Sequence, residues 1–485
     1  MIRALIFRLL IYLAFTSAVL GQQPAPDRQP HLLSFEELQQ LSELNAPTGS
    51  LAKKVMEILE TPFVSNAAAR SGERATRLQS PELGPYLRVA QWNIERGVNL
   101  DTIKQIFSDL EAFKANIDTT KFPFGSPQYE QAILEAEILK ESSIVVLNEV
   151  DLGMKRTDYR NVAAELAQTA RMNYVYGVEF FEIDQPELGI KGKNEGEKHT
   201  EQGKAFDLDP LRYKGLHGSA ILSKYPVLDA RVVPLKRQCY DWYRRELKGT
   251  SPLEAAKREV TDKVFLEKVV REVRRGGRTV VIADLYVPEL PEKRVTVVNV
   301  HLENRCKPDC RENQIKEILA LIQPIKNPVI MAGDFNTSGN DATPTSIKRE
   351  LRKRYKDPHF WGSQAIKFFS PIGFAFDAIG LGFGFARVER DPTADNIPII
   401  APQTEGELFD EVEDFRFADG RAFDFRGEKR RSIDKKSRKL ANSNERAQVG
   451  FKPTFKFERS VKNTVGQFKV DWFLVKPYTS VVSLK

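Results

Sequence analysis

The chain is 485 residues long and 41% hydrophobic, enough to bury a sizeable core in one large α/β domain or two ordinary ones, which excludes an unfolded chain. Its 73 basic and 66 acidic residues leave a formal charge of +7. That surplus suits phosphate-rich partners without singling out nucleic acid among them.

Residues Met1 to Gly21 place Arg3 and Arg8 beside the apolar stretch Leu9 to Leu20, with small residues at Ser17, Ala18 and Gly21. The pattern predicts a secretory signal peptide and hence a secreted or periplasmic protein. The alternative is an uncleaved anchor, for which the apolar run before Gln22 is short. Residues 22–85 read as a polar, proline-rich stretch, Gln22 to Pro30, and a short helical lead-in with apolar residues at helical spacing in Phe35 to Asn45 and Ser50 to Leu59.

Strand-like runs begin at Tyr86 to Ala90 and recur at Ile144 to Leu147, Ala220 to Leu222, Thr279 to Leu285, Val295 to Val300 and Val329 to Ala332. Helical patterns lie between them at Glu130 to Lys140, Asn161 to Ala170, Leu253 to Arg275 and Arg311 to Ile322. The alternation predicts one α/β domain over residues 86–485. Insertions are expected near 182–212, 240–278 and 362–446, the last ending in the basic stretch Asp424 to Arg446. Within it, Phe368 to Phe385 is apolar, but four glycines and Pro371 weaken any helix, so a buried or lipid-facing loop-helix element is expected there. No internal repeat is present.

In an oxidising compartment, Cys306-Lys307-Pro308-Asp309-Cys310 suits a local disulfide across a turn, leaving Cys239 as the odd cysteine. The alternatives are two free thiols, or zinc held with His301, for which no fourth ligand is evident.

Five polar motifs follow or interrupt the apolar runs: Gln91-Trp92-Asn93-Ile94-Glu95, Leu147-Asn148-Glu149, His217-Gly218-Ser219-Ala220-Ile221-Leu222-Ser223, Asn299-Val300-His301-Leu302 and Gly333-Asp334-Phe335-Asn336. Carboxylates, amides and one imidazole thus gather at strand ends, where α/β folds commonly build sites. Phosphodiester hydrolysis needs a divalent cation, a positioned water and a group that stabilises the leaving alkoxide. Glu149 is the best single ligand for such a cation, Mg²⁺ above all, which takes one or two carboxylates and keeps several waters; Mn²⁺ or Ca²⁺ are the alternatives. Asn93 and Glu95 leave their strand at alternate positions and are expected to share one face of the sheet. Asp334 and Asn336 repeat that spacing, with Gly333 permitting close backbone approach; the Asp can orient or deprotonate a water, and the Asn can hold it without adding charge. His301 suits a hydrogen bond to a phosphoryl oxygen or proton donation to a leaving group, and Asn299 shares its face.

These motifs, in this order, resemble those of the endonuclease/exonuclease/phosphatase (DNase I-like) superfamily, from about Leu87 to Lys476. The resemblance implies a four-layered α/β sandwich, two mixed β-sheets face to face flanked by helices, with the site at one end between the sheets. It implies that Glu149 is the principal metal-binding glutamate, with Glu95 and Asn93 lining the metal site. Asp334 and Asn336 would orient the attacking water and phosphate, and His301 would contact the phosphate or assist the leaving group. His217 to Ser223, continued by Lys224-Tyr225-Pro226, matches the family's Gly-x-Ala-Ile-Leu-Ser-Arg-Tyr-Pro strand, with His217 either a substrate contact or a loop residue. Asp471, in Lys469 to Val475, resembles the aspartate that supports a catalytic histidine. The family's closing Ser-Asp-His does not appear before Lys485, and His359, in Asp357-Pro358-His359-Phe360, does not match it. The expectation is a chain lacking its final strand, or a member that dispenses with that pair.

The function expected is therefore an exported, divalent-metal-dependent phosphodiesterase or nuclease. Lys429-Arg430-Arg431, Lys435-Lys436 and Arg271 to Arg278 are candidate tracks for a phosphate backbone. The alternatives are a phospholipid head-group or inositol-phosphate phosphatase or phosphodiesterase that touches a membrane through Phe368 to Phe385, and a catalytically impaired binding module of the same fold.

Overall fold

A computed structural model of the chain describes residues 23–80, 84–120, 122–190, 208–247, 272–337, 406–423, 455–460, 463–468 and 470–476. The expected signal peptide, the apolar element 368–385, the basic runs at 429–431 and 435–436, and His359 lie outside them. In chain order the strands are β1 (Phe63–Ser65), β2 (Leu78–Ser80), β3 (Gly84–Tyr86), β4 (Val89–Arg96), β5 (Ile144–Leu152), β6 (Asn173–Glu182), β7 (Leu216–Ser223), β8 (Val227–Pro234), β9 (Arg274–Gly276), β10 (Thr279–Tyr286), β11 (Arg294–His301), β12 (Val329–Asp334), β13 (Phe455–Ser460), β14 (Asn463–Phe468) and β15 (Asp471–Lys476). The helices are α1 (Phe35–Glu43), α2 (Gly49–Glu60), α3 (Ala67–Arg70), α4 (Leu100–Ser108), α5 (Leu110–Ala115), α6 (Pro127–Glu141), α7 (Val162–Ala170), α8 (Trp242–Leu247), α9 (Pro308–Ile322) and α10 (Gly406–Asp414).

Eleven of these strands form two mixed sheets, and β2–β3 and β13–β14 pair separately as two-stranded sheets. The first has the order β1-β6-β7-β5-β4, with β9 also on β6, and the second β15-β12-β11-β10-β8. Only β4–β5 and β11–β12 run parallel within them. Period-2 alternation then sorts the side chains into layers. On β5, Ile144 and Val146 join Ile221, Val281, Val297 and Ala332 in a core between the sheets. Val145 and Leu147 point the other way, into a second core with Leu38, Ile103 and Leu166 from the helices outside. On β10, Val280 and Ile282 meet a helical stripe on α9, Ile315, Ile318, Leu319 and Ile322, in a third core that also holds Leu408 and Phe409 of α10. Three cores separate four layers, the α/β sandwich expected from the sequence.

The lead-in contributes directly to the first sheet: β1 pairs with β6, and Arg28 bridges to Val64. Among the described residues no helix is long and apolar enough to cross a membrane.

Two expectations are corrected. The helix expected over Leu253 to Arg275 lies outside the described residues up to residue 271, but Arg274 and Arg275 belong to β9, because their backbone pairs with Phe181 and Glu182 at the end of β6. The disulfide joins Cys239 to Cys310, not Cys306 to Cys310, with the Cα atoms 6.0 Å apart. Cys310 sits in the first turn of α9, and one turn on, Gln314 Nε2 donates to the Arg237 carbonyl at 3.0 Å, so this face of the helix meets the segment that carries Cys239. Cys306 Sγ instead lies 3.3 Å from the Glu303 carbonyl. With Cys310 bonded to Cys239, the zinc alternative loses one of its two thiol ligands.

Candidate active site

Two neighbouring strands of the first sheet break their alternation at one level. β4 carries an irregularity between Asn93 and Arg96, and β5 one between Leu147 and Val150. There Glu95, Arg96 and Glu149 adopt positive φ values of 47°, 70° and 54°. Left-handed backbone at a non-glycine residue costs roughly 1–3 kcal/mol and clusters at functional sites, and a bulge re-aims the side chain it carries. Glu149 is turned to a half-buried position beside Asn93, Arg96 and the two histidines 217 and 301. The bulge also corrects the expectation that Asn93 and Glu95 share a face by simple alternation: Glu95 is exposed, and its backbone N–H donates to Asn93 Oδ1 at 3.1 Å.

The second sheet answers from the end of β12. A Cβ on Gly333, which has φ 148°, would lie 1.8 Å from the Val300 carbonyl oxygen, so only glycine lets β12 close on β11 here. Asp334 follows. Its Oδ1 accepts the Asn336 backbone N–H at 2.7 Å, and its Oδ2 accepts Asn93 Nδ2 at 3.2 Å, which ties the two sheets together across the site. Asn336 Nδ2 donates to the Leu302 carbonyl at 2.9 Å. Asp471, opposite Asp334 on β15, accepts Gln91 Nε2 at 2.7 Å.

Beneath these groups lies a net of buried amides. Asn148 Oδ1 accepts both Gln91 Nε2, at 3.0 Å, and the Asp334 backbone N–H, at 2.9 Å, while its Nδ2 donates to Asn299 Oδ1 at 2.8 Å. Asn299, expected beside the substrate, instead gives its own Nδ2 to the Leu147 and Ala220 carbonyls, both at 2.9 Å, and so clasps the first sheet from the second. His217 lies within β7, not in a loop; it is 2% exposed, with Nδ1 2.9 Å from Asp151. Asp151 in turn holds Arg156, which reaches Glu182, and Arg274 and Glu272 carry this chain of ion pairs to Arg96 beside Glu149.

His301 ends β11, 2% exposed, among residues of which the motifs reveal only Ser219. Glu179 of β6 lies 3.3 Å from His301 Nδ1, and the Ser219 hydroxyl donates to it at 2.6 Å. Arg278 Nη1 lies 2.8 Å from Glu179 and 2.8 Å from His301 Nδ1. Glu303, 3.4 Å from Arg278 Nε, accepts Trp242 Nε1 at 3.0 Å. The signal for Glu179 was there to read: one carboxylate inside the aromatic run Val178-Glu179-Phe180-Phe181.

Burial pushes the Glu149 carboxyl upward, but His301 and His217 when their rings are protonated, the fixed charge of Arg96 and a hydrogen bond from Asn93 outweigh it and hold the group below its ordinary range. Glu179 is likewise pushed up by burial yet held well below the usual carboxylate range by His301 when its ring is protonated and by the fixed charge of Arg278. Asp334 goes the other way: burial raises it above its ordinary value against the opposing pull of a protonated His301 ring and of hydrogen bonds from Asn336 and Asn93. The donor set fits a hard divalent cation that keeps its own waters, with Glu149 as the anionic ligand and Asn93 beside it. Among the described residues no group of three or more His, Cys, Asp or Glu side chains that could hold a metal ion is present.

No curated protein matches the chain. Among solved structures, an endonuclease/exonuclease/phosphatase from Beutenbergia cavernae DSM 12333 is 16% identical over 56% of this chain and 52% of that one, with a TM-score of 0.27, so the chain spans about half of that relative's length. ANGEL2, described as a 2′,3′-cyclic phosphatase, is 13% identical over 80% and 82%, with a TM-score of 0.28. The human Nocturnin catalytic domain is 14% identical over 54% and 67%, with a TM-score of 0.24. A model of the Endonuclease/Exonuclease/phosphatase family matches residues 90–420, well over half of the chain and all five motifs, and the chain belongs to that family.

Proposed function

We propose that the chain is an exported, divalent-metal-dependent phosphodiesterase, acting on nucleic acid or a comparable phosphodiester. Members of its family are phosphoester hydrolases, and the family is generally divalent-metal dependent. The observation that carries the reading is an ionised, half-buried Glu149 on one sheet joined through Asn93 to Asp334 on the other, with His301 directly opposite Asp334 in the β11–β12 register.

A cation held by Glu149, with Asn93 beside it, would neutralise the non-bridging phosphate oxygens. Asp334, fixed by the Asn336 N–H and raised by burial, orients the attacking water and takes its proton. His301 meets a phosphoryl oxygen, and Asn336 holds the loop after β12 against Leu302. Gln91 keeps Asp471 aligned with this row. The overall surplus of basic residues supports a polyanionic substrate. Export is read from Met1 to Gly21 and is supported by the Cys239–Cys310 disulfide, since such bonds persist in oxidising compartments.

The test is hydrolysis of bis-p-nitrophenyl phosphate by the purified chain with Mg²⁺, Mn²⁺ or Ca²⁺ and with EDTA. Turnover should require the metal, Glu149→Gln should abolish the metal-dependent turnover, and Asp334→Asn should lower kcat by roughly 10²–10⁴-fold. Full turnover in EDTA, or in Glu149→Gln, would sink the reading.

A further inference from the structure

Arg278 touches the imidazole that the proposed chemistry needs, at the same ring nitrogen that faces the Glu179 carboxylate. Its Nη1 is 2.8 Å from His301 Nδ1, and a guanidinium carries five N–H donors and no acceptor. An N–H on Nδ1 would set two donors head on. The Glu179 carboxylate, 3.3 Å from the same nitrogen, asks for the opposite, an N–H at Nδ1. The shorter contact decides between them, and Glu179 is already supplied: its Oε1 accepts the Ser219 hydroxyl at 2.6 Å and its Oε2 accepts Arg278 Nη1 at 2.8 Å.

We propose that Arg278 is a positioning residue that fixes the tautomer of His301, holding Nδ1 as an acceptor and placing the ring's hydrogen on Nε2. The guanidinium cannot lose its proton, and it cannot easily move. It lies between Glu179 and Glu303 with its carbon 5.4 Å from the centre of the Phe180 ring. Its backbone N–H donates to Gln238 Oε1 at 2.8 Å, and its carbonyl accepts Leu235 N and Gln238 Nε2. Arg278, Glu179, Glu303, Ser219 and His301 are each at most 2% exposed, so no water competes for Nδ1. No described residue hydrogen-bonds Nε2. His301 therefore presents an N–H to its ligand and works as a hydrogen-bond donor; that this ligand is a phosphoryl oxygen rests on the function proposed above.

The tautomer is read by long-range ¹H–¹⁵N correlation on protein labelled with ¹⁵N-histidine, with His301 assigned from the signal missing in His301→Gln. The expected spectrum has the proton on Nε2 and an unprotonated Nδ1. A proton on Nδ1, or on both nitrogens, in the unaltered protein overturns the proposal and needs no variant that folds. In Arg278→Met the proton should move to Nδ1, toward Glu179, and kcat on bis-p-nitrophenyl phosphate should fall by about 10-fold or more with KM little changed. An unchanged tautomer in that variant would show that Arg278 does not set it. A wild-type chain with no turnover would defeat the proposed function while leaving the tautomer readable.

Discussion

Asn148 is the side chain on which most of the site depends, although it touches no substrate in the proposed chemistry. Its amide joins Gln91, Ser219, Asn299, Val300 and Asp334, and it is fully buried. Asn148→Ala would leave the Asp334 N–H and Asn299 Oδ1 without partners in a dry core. Urea unfolding should show a loss of about 2–4 kcal/mol, and activity should fall with it; a loss under about 0.5 kcal/mol would show that the net is dispensable. Glu149, Asp334 and Asn336 could be read from the sequence because each stands where an apolar β-branched run stops, so a polar residue there faces the end of a sheet. Asn299 and Asn148 have the same local pattern and a different fate. Period-2 spacing tells which face a residue takes, not that the opposing sheet lies across that face to receive its hydrogen bonds. Glu179 and Arg278 come from a strand and a loop far apart in sequence, and only folding brings them to His301.

Among secondary elements, β6 shows where reading by periodicity fails. Gly177 and Glu179 interrupt its apolar pattern, yet it pairs with β1, β7 and β9 and carries the acid beside His301. Five of the six strand-like runs and the helical patterns 130–140, 161–170 and 311–322 were legible from their apolar periodicity, whereas the run Tyr86 to Ala90 straddles the end of β3 and the start of β4; the bulges in β4 and β5 were not legible, since positive φ at Glu95 and Glu149 has no signature in residue type. The turn after β6 adds a pH response. Burial, with Glu182 and Asp184 nearby, pushes the Glu187 carboxyl from 4.5 up to about 7. Between those values the folded chain binds a proton that the unfolded chain does not, so the associated stability is complete below about 4.5 and is lost as pH rises through about 7. Glu187→Gln should melt with the wild type at about pH 5 and above it at about pH 8.5; equal melting at both would refute the shifted carboxyl.

Across the whole molecule, the Cys239–Cys310 bond fastens the segment after β8 to the first turn of α9, closing a separation of 71 residues. Chain entropy assigns such a link about 2–4 kcal/mol. Reduction, or Cys239→Ser, should lower stability by that amount in urea, and neither Cys239 nor Cys310 should take up an alkylating reagent before reduction. Both cysteines alkylated in freshly isolated protein would argue against the bond and against export together. The pairing was not legible because spacing along the chain favoured the nearer cysteine, whereas packing of α9 on the second sheet selects the farther one.

The core between the two sheets is aliphatic, and greasy plates of this kind resist separation far better than they resist shear. The amides of Asn148 and Asn299 act as a rivet at one end of the sandwich, where Asp334 and Glu149 face each other from different plates. Loops around the rim can then lengthen, shorten or change their chemistry without altering the spacing between the two halves of the site.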